Sequence, residues 1–320
     1  MRKSAVVLAV AAAALISQAC AAEDAPPSWA FAANPPGAQA VAPDDGAPKH
    51  VPNSAVALTE SQVKDAFNVP DWHPDNHPAA PDIVMHGAKP AVLACGYCHL
   101  PNGQGRPENA GLAGLPIAYI VQQIADFRSD SRKSSLPDLV PPKLMVNIAK
   151  AATDTQIAEA AAYFASLDPR PWVRVVETAT VPKTHVAGYM LVPDASGGTE
   201  PIGHRIVETP ENLTATELRD SGSGFVAYVP PGSLKAGEAL VTRGGGKTTP
   251  CGVCHGADLR GLGPVPRLAG RSPSYLVRQL YDIQHGSRAG AWTPLMMGVV
   301  RDLTPDDLVA IVAYVAAQKP

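Results

Sequence analysis

The sequence predicts a mostly α-helical protein in which one small helical unit is used twice, with a small β-rich insert between the two uses. Three observations carry this. Shifting the chain by 156 residues lays Cys95–Arg132 on Cys251–Arg288 without a gap, with 14 of 38 positions identical. Apolar residues recur at helical spacing after N-cap signals in both copies. Residues 171–233 then change character, with Val, Thr and Tyr alternating between Pro and Gly punctuation.

At the amino terminus Arg2 and Lys3 precede an apolar run of 12 residues, Ala5 to Ile16, and the small-residue site Ala19-Cys20-Ala21. This reads as an export signal over residues 1–21, and the run is shorter than the roughly 20 residues that span a bilayer. The expected location is therefore the periplasm. A lipid anchor on Cys20 is the rival reading, but a lipobox asks for an aliphatic residue three positions earlier, where Ser17 stands. Residues 22–80 are rich in Pro, Ala and Asp and form an N-terminal extension in which only Thr59 to Phe67 has the look of a helix.

The first unit spans residues 81–170. Ile117, Ile120, Val121, Ile124 and Phe127 set a helical stripe, and Thr153 with Gln156 makes a capping box ahead of Ile157, Ala161 and Phe164. The second spans 234–320. There Ser272 and Pro273 suit the cap and first position, Leu276, Leu280 and Ile283 form the stripe, and Thr304 opens the last helix. The insert (171–233) offers strands in Trp172–Val181, His185–Val192, Arg205–Thr209 and Gly224–Val229.

Five cysteines are present, and all four outside the export signal lie in Cys95-Gly-Tyr-Cys98-His99 and Cys251-Gly-Val-Cys254-His255. Two cysteines so spaced can each add across one vinyl group of a haem, which places the following histidine beneath the iron; this is the c-type haem attachment signature. A zinc site of four cysteines is opposed by the 152 residues between Cys98 and Cys251. A redox dithiol is opposed by the lack of a preceding strand, and plain disulfides would not need a histidine after both pairs. The expected cofactors are two covalently bound haem c groups, with iron held by His99 and His255.

A sixth iron ligand is supplied on register by Met145, 50 residues after Cys95, and Met296, 45 after Cys251. Each follows a leucine and lies eight residues before the threonine that caps the last helix, which selects Met296 over Met297. Met85 and Met190 fall outside the repeat and read as packing. Histidine–methionine ligation raises the reduction potential of a haem, and it leaves the iron no open position for substrate.

These motif pairs, the Leu-Ala-Gly turn, the Tyr-x-x-x-Gln helix and the methionine before a capped final helix resemble class I cytochromes c. The doubling resembles the dihaem c4 type. The resemblance implies two tandem cytochrome c domains, three to five helices each, covering a little over half the chain. It also implies a carrier of electrons between redox complexes, with no catalytic residues. In that family a proline before the turn offers its carbonyl to the proximal histidine. Pro266 matches; Ala110 stands at the first copy's position, which predicts a different surrounding for His99.

Charge is uneven. Residues 22–80 carry eight acidic and two basic groups, whereas residues 235–320 carry ten basic and six acidic. Arg260, Arg267, Arg271 and Arg278 crowd the second motif, and Arg132 and Arg288 occupy matched positions. These cations either neutralise haem propionates or steer an acidic redox partner to the second unit. The expected partners are redox proteins (a terminal oxidase, a dehydrogenase or a quinol-oxidising complex, with peripheral association with a membrane complex) and not nucleic acid. The alternative is a dihaem peroxidase, or a dehydrogenase haem subunit, with one open or histidine-ligated haem; His73, His77 and His86 give that reading its footing.

Overall fold

A computed structural model describes residues 25–37 and 44–320. The export signal and Cys20 lie outside the described residues. Twelve α-helices and seven short strands make up the described chain, and none of the helices is long and apolar enough to cross a membrane.

In the N-terminal extension Thr59 caps α1 (Glu60–Val63), with Gln62 completing a capping box. This helix is shorter than the stretch to Phe67 expected for it, because Lys64 closes it with turn bonds back to Glu60 and Gln62. The extension is not loose. Trp72 is buried and donates its indole N–H to Leu218 O, and His73 Nε2 pairs with Asp220 Oδ1 at 2.8 Å.

The first copy contains α2 (Asp82–Met85), α3 (Cys95–His99), α4 (Ile117–Arg128), α5 (Val140–Ala151) and α6 (Asp154–Ser166). The second contains α8 (Ser233–Arg243), α9 (Gly252–His255), α10 (Pro273–Gln284), α11 (Thr293–Val300) and α12 (Pro305–Ala316). Helices α4 and α10 coincide end to end under the 156-residue shift. The caps stand where the sequence places them: Thr153 and Thr304 each form a reciprocal box, with Gln156 and Asp307, and Ser272 Oγ accepts from Tyr275 N–H.

Between the copies lie β1 (Val173–Glu177), β2 (Thr180–Pro182), β3 (Thr184–Ala187), β4 (Met190–Pro193), β5 (Thr199–Pro201), β6 (Val207–Pro210), the one-turn α7 (Leu213–Glu217) and β7 (Phe225–Val229). Strand β7 is central, parallel to β1 and antiparallel to β6, while β2–β5 and β3–β4 are separate antiparallel ribbons. Buried Glu208 on β6 accepts from Ser272 Oγ and Ser274 N–H, tying this sheet to the first turn of α10.

The two copies meet across an approximate two-fold relation. Lys133 N–H donates to Ser287 O, and Ala289 N–H donates to Ser131 O; these are repeat-matched pairs. Arg132 Nη2 donates to Tyr275 Oη and Gln279 Oε1, and Arg288 Nη2 donates to Tyr119 Oη and Gln123 Oε1. Each arginine also reaches the glutamine of its own copy. The buried face of α4 therefore differs from the apolar stripe expected. Ile117 and Val121 are exposed, and Tyr119, Gln123 and Asp126 are buried. These three polar positions, spaced i, i+4, i+7, face the other copy.

In the second copy α8 crosses α12 at Gly237, where an added Cβ would lie 2.0 Å from Ala310 O. No rotamer relieves a clash with backbone. Gly237→Ala should therefore cost about 3 kcal/mol of stability through overpacking, more than the roughly 1 kcal/mol alanine gains in helix propensity. Urea unfolding checks this, and an unchanged midpoint would refute it.

Candidate haem centres

Each Cys-x-x-Cys-His segment is a single helical turn ended by a residue at positive φ, Leu100 (63°) in the first copy and Gly256 (82°) in the second. That reversal lets Gly105 N–H and Gly261 N–H donate back to His99 O and His255 O, closing the same loop twice.

Both histidines are buried, and each holds a carbonyl eleven residues on. His99 Nδ1 lies 2.8 Å from Ala110 O, and His255 Nδ1 lies 2.8 Å from Pro266 O. A carbonyl only accepts, so each ring donates through Nδ1 and leaves the Nε2 lone pair free. Burial pushes both imidazoles below their ordinary pKa, which keeps them neutral. The carbonyl bond itself is the same in both copies, because a backbone carbonyl can be presented by any residue.

Met145, half-buried on α5, lines the same cavity as His99, whose apolar wall includes Leu112, Leu115, Ile120 and Phe127. Met296, half-buried on α11, packs against the second copy's core, and Met297 stands outside that cluster. Met85 packs on the first core, and Met190 is buried with its Sδ 3.2 Å from Arg106 Nη2. A neutral imidazole with a free Nε2, a thioether on the same cavity and two adjacent cysteines fit a covalently held haem in the first copy, and the second copy repeats the donor set.

The thiols argue against dithiol chemistry. Burial pushes Cys95 up to about 12 and Cys251 up to about 11, far from a reactive thiolate. Among the described residues no cluster of three or more His, Cys, Asp or Glu side chains could hold a metal ion.

Of the four arginines that crowd the second motif, Arg260 is exposed. Arg267, Arg271 and Arg278 are buried, and all three turn toward the first copy. Arg267 Nε donates to Ala113 O, Arg271 Nη2 to Gly111 O and Arg278 Nη2 to Pro107 O. They are thus not available to steer a partner. Arg132 and Arg288 are engaged in the interface described above. His73 and His77 have partners away from the His99 cavity: Asp220 for the first, and Asp71, Pro78 O and Tyr163 Oη for the second. His86 does not line that cavity.

Sequence reasoning missed that the insert reaches the first motif. Arg219 lies 3.6 Å over the Tyr97 ring and donates to Tyr97 O, while Asn102 and Gln104 donate to Ser221 O and Ser223 O. Those contacts span more than a hundred residues, and no local signal could have revealed them.

No family model matches the chain. Over 86 residues it is 43% identical to cytochrome c4 of Pseudomonas aeruginosa, a stretch that is 26% of this chain and only 40% of that relative. Over 238 residues it is 27% identical to a thiosulfate dehydrogenase electron acceptor of Thiomonas intermedia, covering 72% of this chain and 81% of that one. Over 85 residues, 26% of this chain, it is 35% identical to cytochrome c-554(548) of Halomonas halodenitrificans, of which 100% is covered. Identity along the whole of one cytochrome c, with a second motif-bearing copy beside it, shows that the chain belongs to the class I cytochrome c family, as a dihaem member of the c4 type.

Proposed function

We propose that this chain is an exported, periplasmic carrier that moves electrons one at a time between redox complexes. The observation that carries the proposal is the matched pair of neutral histidines, each locked through Nδ1 to a carbonyl beside its own Cys-x-x-Cys turn. When bound, haem supplies a one-electron iron couple whose potential depends on axial ligand and burial.

Within this reading Cys95, Cys98, Cys251 and Cys254 tether the two groups. His99 and Met145 would hold the iron of the first group, and His255 and Met296 that of the second. The carbonyls of Ala110 and Pro266 fix ring orientation and strengthen each imidazole as a donor. The functional division follows the repeat, with haem domains at 81–170 and 234–320, the extension at 22–80 and the insert at 171–233. A dehydrogenase is the partner class best supported, since likeness to a dehydrogenase's electron acceptor extends over 72% of the chain.

Absorption spectra of the oxidised holoprotein test the ligation. Both haems should be low-spin and carry the weak long-wavelength band of a sulfur–iron bond. Met145→Ala and Met296→Ala should each remove about half of it, against an unchanged pyridine-haemochrome count of two. A high-spin haem in the unaltered protein would overturn the carrier reading in favour of the peroxidase.

A further inference from the structure

The motif faces of the two copies are not equally open. We infer that the extension and the insert together cap the Cys98 edge of the first centre, so that electrons enter and leave this chain at the Cys254 edge of the second. The inference rests on the haem reading above and adds a route to it.

A thioether forms at a vinyl carbon on the rim of the ring, so the second cysteine of each motif marks where that rim lies in the fold. Cys254 is exposed, and Cys98 is half-buried. Under the 156-residue shift Tyr97, Asn102, Gln104 and Arg106 match Val253, Asp258, Arg260 and Leu262. All four residues of the second copy are exposed, Val253 at 65% and Leu262 at 60%, and none of the four in the first copy is.

Residues 218–223 of the insert cover the first face. Arg219 stacks on Tyr97 and donates to its carbonyl, while Asn102 and Gln104 hold Ser221 O and Ser223 O, each at 2.8 Å. Buried Arg106 reaches Met190 Sδ on β4. The extension clamps this loop from its other side. Trp72 donates to Leu218 O, His73 pairs with Asp220, and Asp220 Oδ1 also accepts from Gly222 N–H, which fixes the turn. The extension touches the motif directly as well: Ala94 N–H donates to Ala66 O, and Tyr97 Oη donates to Lys64 O. Among the described residues neither segment makes a hydrogen bond to Val253, Asp258, Arg260 or Leu262.

Direct exchange with the first centre therefore requires the cap to open, and its rate is scaled down by the fraction of molecules in which it is open. At the uncapped edge a donor gives up one electron and the second iron goes from ferric to ferrous. It returns to ferric as the first iron is reduced, and release to an acceptor runs the same route backwards.

The test uses the holoprotein and begins with a pyridine-haemochrome count. A count below two would overturn the haem reading itself, which is thereby told apart from failure of the cap. Met296→His lowers the second potential beyond the reach of ascorbate, so the first haem must be reduced directly; Met145→His reverses the roles. On rapid mixing with ascorbate at high salt, corrected for the two measured potentials, the remaining sulfur–iron band should bleach about ten-fold or more slowly in Met296→His than in Met145→His. Arg219→Ala with Gln104→Ala should speed the first haem about ten-fold and leave the second within a factor of about two. If that pair does not fold, Trp72→Phe, which keeps the ring and frees Leu218 O, should act in the same direction. A second readout involves no electron transfer: hydrogen exchange across 218–223 should be slow in the unaltered holoprotein and quicken in these variants. Equal reduction rates in the two backgrounds would overturn the cap, as would fast exchange across 218–223 in the unaltered protein. So would a first haem whose rate stays fixed while that exchange quickens.

Discussion

Replacing Arg132 and Arg288 together with leucine should lower the thermal midpoint by roughly 10 °C or more and split one unfolding transition into two. The two guanidiniums make six side-chain hydrogen bonds, and all their acceptors are the matched residues Tyr119, Gln123, Tyr275 and Gln279. Charge-assisted bonds of this kind contribute about 1.5–3 kcal/mol each, and truncation also leaves buried acceptors unmet. Even with heavy discounting for shared partners, the pair should be worth about 5 kcal/mol. The single variants should not add, because both arginines use Gln123 Oε1 and Gln279 Oε1, so removing one frees acceptors for the other. Differential scanning calorimetry reads the number and position of transitions. One coincident transition at the original midpoint would mean that the insert and the buried Arg267, Arg271 and Arg278 hold the copies together unaided.

This interface also shows what the sequence made legible and what it did not. Five of the fourteen repeat identities, Tyr119/Tyr275, Gln123/Gln279, Asp126/Asp282, Ser131/Ser287 and Arg132/Arg288, sit at the contact between copies. Their helical spacing was visible. Their meaning was not, since polar residues on a helix are ordinarily read as its solvent face. The helix caps were readable because a cap is a local bond between residues three apart. The orientation of Arg267, Arg271 and Arg278 was not readable, because a linear count of charge cannot distinguish a cation facing a partner from one facing the other half of its own chain. The carbonyl bond at Ala110 was not readable for a related reason: the functional atom belongs to the backbone, and side-chain identity at that position says little about it.

Loss of attachment should affect the two copies unequally. Cys95→Ser with Cys98→Ser should melt α4, α5 and α6 at ambient temperature, whereas Cys251→Ser with Cys254→Ser should leave α8, α10 and α12 largely folded. The reason lies in how each copy fills its interior. The core around the first site holds twelve buried apolar residues, all from residues 83–167. The core around the second holds twenty-four, and it borrows Ala30 and Phe31 from the extension, Leu139 from the first copy, and Ile206, Ala227 and Val229 from the insert. Rings are scarce in the chain, five Phe, eight Tyr and four Trp, so a covalently held group that fills the first cavity supplies contacts side chains cannot replace. Binding free energy of such a group is folding free energy. Far-UV circular dichroism of each variant, with hydrogen exchange to locate the loss, measures the asymmetry. The first variant should lose roughly a third of the helical signal and show rapid exchange across α4–α6, while the second keeps protection along the α8–α12 crossing. Equal losses would mean that the borrowed residues add nothing to the second copy. Intact α4–α6 without the thioethers would mean that the first copy's side-chain core suffices alone.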